Sequence, residues 1–328
     1  MMTFIKDFKA SLHSPNSYSF DERALTLFQF QYINNSVYKK FIDHLKINPD
    51  QVNSIEKIPF LPIDFFKHHI VSSINQYAGY FSSSGTTGSI QSKHYYSNLT
   101  FYLNNCVHIF ESTYFPLKET LVLGLVPSYL EREGSSLIAM IRHFIERSNM
   151  EESGFYLYNH DDLYHTLIKN KEKRILLIGV TFALLDFAEK FSLNDFNHLS
   201  IMETGGMKGR KKEMTRAEVH GILKQKLNVP TIHSEYGMTE LLSQSYSKQN
   251  GIFNPPNTMR VFVRETNDPL SIQKNNRTGG INIIDLANAE SCAFIATDDL
   301  GKTYEDGSFE VLGRFDHSDI RGCNLMSL

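Results

Sequence analysis

Apolar and polar positions along this chain follow two rhythms. From Asp21, which can cap a helix, Ala24, Leu25, Phe28, Ile33, Val37, Phe41, Ile42 and Leu45 recur at helical spacing. The pattern predicts one helix, ended by Asn48-Pro49. Residues 1–20 are polar and mixed, and read as a lead-in without a defined element. Ile58-Pro59-Phe60-Leu61-Pro62-Ile63 reads as extended chain, because residues before proline avoid the α region. Tyr80-Phe81 reads as the end of a strand, and Asn98 to Tyr114 as a helix.

The middle of the chain alternates buried strands with helices. Thr120 to Val126 and Arg174 to Val180 are continuous apolar runs, the mark of strands covered on both faces. Leu199 to Thr204 and Val229 to His233 read as a third and a fourth strand. Between them, Ser135–Arg147, Phe182–Phe191 and Lys211–Leu227 read as helices. This alternation predicts an α/β fold with a mostly parallel sheet, whose ligands bind at the carboxyl ends of the strands. After Gly251 the texture changes. Met259–Arg264, Gly280–Asp285 and Ala293–Ala296 are short strands joined by Asn, Gly and Asp turns, which predicts a smaller antiparallel region. The expected organisation is an α/β body over 1–250, a β-rich subdomain over 251–312 and a short hinge-like tail over 313–328.

Composition narrows the class. A chain of 328 residues with 41% hydrophobic positions is long and apolar enough to bury a large core. A net charge of −3 gives no global field for nucleic acid or an anionic membrane. No apolar run has the length of a membrane span, and the N-terminus lacks a signal-peptide core. Cys106, Cys292 and Cys323 are too scattered for a metal motif or a disulfide framework. A cytoplasmic location is the default expectation.

The candidate chemistry starts at Phe81-Ser82-Ser83-Ser84-Gly85-Thr86-Thr87-Gly88-Ser89, followed by Lys93. Successive backbone N–H groups in such a loop form a concavity for an anion, and the hydroxyls add donors. The Walker pattern is absent, so a polyphosphate would be held in another way. A solvated Ser/Thr/Gly turn is the competing interpretation. Four further polar clusters fall where strands end. These are Thr204-Gly205-Gly206, Tyr236-Gly237-Met238-Thr239-Glu240, Thr297-Asp298-Asp299 and Gly313-Arg314-Phe315-Asp316. Each alone also suits a turn, a helix start or a surface loop.

The order of these clusters resembles that of the adenylate-forming enzymes, the superfamily of acyl-CoA ligases and firefly luciferase. Ser82–Gly88 is similar to the family's phosphate loop, and Tyr236–Glu240 to its Tyr-Gly-x-Thr-Glu motif. Thr297-Asp298-Asp299 stands where the family has Thr-Gly-Asp, with Asp298 replacing the glycine, and Gly313–Asp316 is similar to Gly-Arg-x-Asp. The resemblance implies ATP and Mg²⁺ as cofactors and formation of an acyl-AMP with loss of pyrophosphate. It implies that Ser82, Ser83, Ser84, Gly85, Thr86, Thr87 and Gly88 hold phosphate oxygens. It further implies that Tyr236 and Gly237 face adenine, that Thr239 bonds the α-phosphate and that Glu240 holds Mg²⁺. Asp299 and Arg314 would take the ribose. Gly205 and Gly206 would shape the nucleotide pocket.

Two departures point to one branch. The family's C-terminal domain, with its adenylation lysine, is expected to be absent or vestigial here; Lys93 is a candidate substitute. The segment after the first buried strand, Pro127 to Gly134, lacks the histidine of many acyl-CoA ligases. Thr204–Arg210, Tyr236–Leu241 and Gly313–Cys323 resemble the acyl-protein synthetase of the bacterial bioluminescence fatty-acid reductase. That resemblance implies a fatty or other carboxylic acid substrate, acyl transfer to Cys323, and an acyl-accepting protein or reductase partner. Arg321 beside Cys323 would favour its thiolate. A carboxylate–CoA ligase that needs a partner domain, and a non-catalytic nucleotide-binding relative, are the alternatives.

Overall fold

The structure, a computed structural model, describes residues 2–14, 18–83, 90–127, 134–205 and 214–315. Its N-terminal region is more ordered than the polarity of residues 1–20 predicts. Met2–Ser11 form helix α1, because Ile5, Phe8 and Leu12 share one face and bury it. Phe4 stacks on Phe30 at 4.3 Å. The helix expected from Asp21 is two helices, α2 (Phe20–Asn34) and α3 (Ser36–His44). Ser19, not Asp21, caps α2, in a capping box closed by Glu22. The break lies at Asn35. Its side chain accepts from the N–H groups of Val37 and Tyr38 and donates to the Ser291 carbonyl at 2.9 Å. Such local side-chain bonds compete with a continuous helix.

The chain then forms β1 (Leu61–Pro62), the single turn α4 (Phe65–His68), and a hairpin of β2 (Gly79–Ser82) and β3 (Lys93–Tyr96). Helix α5 (Leu99–Thr113) follows, capped by Asn98. The alternating part contains β4 (Leu121–Leu125), α6 (Ser136–Arg147), β5 (Gly154–Tyr156), α7 (His160–Lys169), β6 (Ile175–Val180), α8 (Thr181–Ala188), β7 (Leu199–Thr204), α9 (Arg216–Leu227), β8 (His233–Tyr236) and β9 (Ser245–Ser247). The short β5 and α7 carry no strong periodicity and escape a sequence reading. The fourth strand begins at His233, later than expected, because Val229–Ile232 form the connection from α9. The strand order is β5-β4-β6-β7-β8-β9, parallel throughout except for β9. Every residue of β4 and β6 is buried, as their apolar runs predict.

The second sheet contains β10 (Ile252–Phe253), β11 (Met259–Arg264), β12 (Thr278–Asp285), β13 (Phe294–Thr303) and β14 (Phe309–Arg314). Its order is β10-β14-β13-β12-β11, antiparallel, and β1 adds to β13 in parallel. Thr297-Asp298-Asp299 lies inside β13, not after it, and Gly313-Arg314 ends β14. Antiparallel pairing carries the strand through these polar residues, with Asp299 opposite Arg314 and an irregularity between Leu300 and Gly301. No helix among the described residues is long and apolar enough to cross a membrane.

Two buried carboxyl groups lie near the carboxyl ends of β7 and β8, on opposite faces of the sheet. Burial opposes the charge of Glu203, but His220, Arg216 and Ser234 outweigh it and hold the pKa at about 2. Glu235 is pushed up to about 7 by burial, against the hydrogen bond from Thr204 and with the repulsion of Glu203. The folded value of Glu235 lies above its unfolded value. Its contribution is therefore fully present below about pH 4.5 and is lost as pH rises through about 7. Glu235→Gln should remove this component. Thermal melts between pH 5.5 and 8.5 are expected to fall less with pH in Glu235→Gln than in the wild type; parallel curves would contradict the assignment.

Candidate functional site

Asp299 is the centre of the polar groups that gather where the two sheets meet. Tyr236, the last residue of β8, donates its hydroxyl to Asp299 Oδ2 at 2.8 Å. Arg314, opposite on β14, donates Nε to Asp299 Oδ1 at 3.2 Å. The Asp299 N–H donates to Thr297 Oγ1, which in turn donates to the Ile281 carbonyl. Arg264 supports the strand from behind, donating to the carbonyls of Ile281 and Thr297. Asp299 and Tyr236 are buried, whereas the Arg314 side chain is 80% exposed. The Tyr236 ring packs edge-on against Phe309 at 5.5 Å and near Phe253 at 5.8 Å. Burial, and then the Asp299 charge, hold its phenol well above the usual pKa.

The segment after Tyr236 runs as a tight, irregular connection rather than the start of a helix. A Cβ at Gly237 would press on Glu235 Oε1, so a larger residue there must displace that carboxyl. The Thr239 carbonyl accepts from His94 Nδ1 at 2.9 Å, and the Glu240 carbonyl from Asn288 Nδ2 at 2.8 Å. Asp285 accepts from the N–H groups of Leu242 and Ser243, and Asn105 donates to the Leu242 carbonyl. Four side chains from distant parts of the chain thus fix this connection. None of the four carries a motif, and only the fold brings them together.

Glu240 itself is buried, which raises its pKa; Ser92 bonds it, and Arg314 and Lys67 act on it with positive charge. A desolvated carboxyl of this kind fits a divalent cation, which would restore its charge. No group of three or more His, Cys, Asp or Glu among the described residues could hold a metal ion. The donor set fits Mg²⁺ that arrives with phosphate, since that ion commonly takes one or two carboxylates and substrate oxygens.

The phosphate-loop candidate connects β2 to β3. Ser82 pairs with Lys93 in the hairpin register, and Ser83 exchanges bonds with Ser92 at the neck. The Ser82 N–H donates to the Gly134 carbonyl at 2.8 Å. Gly134 has φ +79°, a conformation that favours glycine. Lys93 is exposed, with Nζ 5.0 Å from the Tyr80 ring centroid. Gly205 ends β7 with φ +22°. Ser84, Gly85, Thr86, Thr87, Gly88, Gly206 and Cys323 lie outside the described residues.

His94 ties the hairpin to the Tyr236 segment. A carbonyl only accepts, so Nδ1 carries the proton toward Thr239, and Nε2 accepts from Ser291 Oγ at 2.7 Å. Burial lowers its pKa to about 4, so it stays neutral. His94→Ala should leave two polar groups without a partner and lower stability by about 1–3 kcal/mol. His94→Asn, whose amide can reproduce the Nδ1 donor, should recover part of the loss. Equal melting temperatures for His94→Ala and the wild type would contradict this role.

No family model matches the chain, and no curated protein matches it in sequence. Solved structures do match in fold. ATP-bound MatB from Rhodopseudomonas palustris is 16% identical, with a TM-score of 0.54, over 73% of this chain and 48% of that one. An ATP-bound chimera built on the same protein gives 17% identity and a TM-score of 0.55, over 73% and 48%. 2-Hydroxyisobutyryl-CoA ligase in the postadenylation state is 12% identical, with a TM-score of 0.66, over 90% of this chain and 66% of that one. This chain thus spans about half the length of the MatB structures and two thirds of the 2-hydroxyisobutyryl-CoA ligase. With its parallel sheet joined at Asp299 to an antiparallel one, the chain shares its fold with these ligase structures.

Proposed function

We propose that this protein activates a carboxylic acid with ATP, forming an acyl-AMP and releasing pyrophosphate. The observation that carries the reading is the convergence of Tyr236, Glu240, Asp299 and Arg314 at one junction, from the end of β8 and the turn after it, the middle of β13 and the end of β14. A carboxylate oxygen bonds to the α-phosphorus, and the bond from that phosphorus to the pyrophosphate oxygen breaks. Glu240 would hold Mg²⁺, which supplies positive charge to the phosphate oxygens. Asp299 accepts from the ribose hydroxyls, and Arg314 moves from Asp299 toward the ribose or the phosphate. Tyr236 sets the Asp299 carboxylate at the right height while its ring walls the adenine side. The hydroxyls of residues 82–88 and the N–H groups of residues 84–88, with Lys93 at the neck, receive the pyrophosphate. Catalysis rests on position and charge.

The acyl group then passes to a thiol. We take Cys323 as the first acceptor, by the resemblance of residues 313–323 to the acyl-protein synthetase. Its thiolate attacks the acyl carbonyl and AMP leaves. Cys106 and Cys292 are completely buried, and burial raises both thiols, Cys292 to about 12, so neither suits this step. A fatty acid substrate and a reductase partner follow from the same resemblance. Transfer to CoA is the second reading, favoured by the fold match to 2-hydroxyisobutyryl-CoA ligase.

With Mg²⁺ and a suitable acid, the protein is expected to exchange labelled pyrophosphate into ATP. Glu240→Ala should lose most of this exchange, while its melting temperature holds or rises, because a desolvated carboxyl is removed. Exchange equal to wild type would take Glu240 out of the site. Intact-mass measurements should show an ATP-dependent, hydroxylamine-labile acyl adduct without CoA. Cys323→Ser should abolish the adduct and keep the exchange. Turnover that requires CoA and leaves no adduct would favour the second reading.

A further inference from the structure

Lys67 has no part in the scheme above, yet the fold sets its helix beside the site. It lies on α4, which leaves the sheet directly after β1. Leu61 and Pro62 run parallel to Ile295 and Ala296, and the Ile63 N–H donates to the Ala296 carbonyl at 2.9 Å. From Asp299 onward the same edge of β13 is taken by β14. Helix α4 therefore starts at the gap between β1 and β14, where Thr297 and Asp298 stand. The other side of α4 is fixed as well. The buried Phe66 ring meets His94 edge-on at 5.6 Å, and His94 holds the Thr239 carbonyl.

From this position the Lys67 ammonium pairs with Asp64 at 2.6 Å. After Asp64, the negative charges of Asp298, in the gap, and of Glu240 also favour its charged form. The Asp64 partner is half exposed and three residues away on one turn, a kind of pair worth little. Asp64 does not compete strongly with a phosphate for this ammonium. Glu240 marks the metal and phosphate end of the proposed site, and Asp299, next to Asp298, its ribose end. The group that joins those two ends of a nucleotide is the α-phosphate.

We propose that Lys67 is a phosphate-binding residue of this site, exchanging Asp64 for a non-bridging oxygen of the nucleotide α-phosphate. The proposal rests on the adenylation reading for its role in turnover. Negative charge grows on the α-phosphate oxygens as the carboxylate attacks, and a fixed cation there lowers the barrier. In the acyl-AMP the same ammonium stays on the phosphate until AMP leaves.

The test measures binding of ATP, AMP and adenosine by equilibrium dialysis, beside pyrophosphate exchange, for wild type, Lys67→Ala and Lys67→Arg. Lys67→Ala should weaken AMP and ATP about ten- to a hundred-fold, the value of a charge-assisted contact. Adenosine, which has no phosphate, should bind as before. Exchange should fall at least as much as ATP binding, and Lys67→Arg should recover part of both. Unchanged AMP affinity in Lys67→Ala would overturn the proposal, and so would an equal loss for adenosine, which marks a structural role. A wild type that binds AMP through Lys67 but exchanges no pyrophosphate with any acid would refute adenylation and leave the phosphate contact standing. A wild type that binds none of the three ligands would overturn both.

Discussion

The site depends on one buried carboxylate that two sheets share. Asp299 lies on the antiparallel sheet and accepts from Tyr236 of the parallel sheet, while Arg314 neutralises it from the neighbouring strand. A buried charge is costly unless it is paired and hydrogen-bonded. Asp299 meets that condition only when both sheets are in register with each other. The same bonds therefore hold the junction together and position the groups proposed to take the nucleotide. The two partners differ in setting: the Arg314 side chain is exposed, whereas the Tyr236 ring packs beside the stacked rings of Phe253 and Phe309.

Around that centre, polar groups without motif character do the positioning. Asp285, Asn288, His94 and Asn105 each bond the backbone between Thr239 and Ser243. Backbone fixed at both carbonyls and N–H groups presents the side chains of Thr239 and Glu240 in one orientation, which is what charge stabilisation without reorganisation requires. On neighbouring strands, Glu203 and Glu235 differ in charge. The one with Arg216 and His220 beside it stays ionised, and the other approaches neutrality.

Strong local signals explain what a reading of the sequence reaches. The apolar runs of β4 and β6 are legible because a strand buried on both faces has no other composition. The helices capped by Asn98 and Ser135 are legible for their caps and periodicity. Asn35 is not, since its helix-breaking role comes from the Ser291 carbonyl, far away in sequence. Asp298-Asp299 reads as a turn, because polar residues in a strand are explained only by partners such as Tyr236 and Arg314. For the site, the motif residues Tyr236, Glu240, Asp299 and Arg314 are recognisable by type and order. His94 is invisible, because it acts through contacts that the fold creates.

The central claim is that a nucleotide occupies the junction at Asp299. Photolabelling with an azido-adenine ATP, followed by peptide mapping, locates the base directly. The account predicts label on the peptides spanning residues 227–248 or 278–302, prevented by excess ATP and reduced in Asp299→Asn. Label confined to the helices of residues 2–44, or insensitive to both ATP and Asp299→Asn, would contradict it.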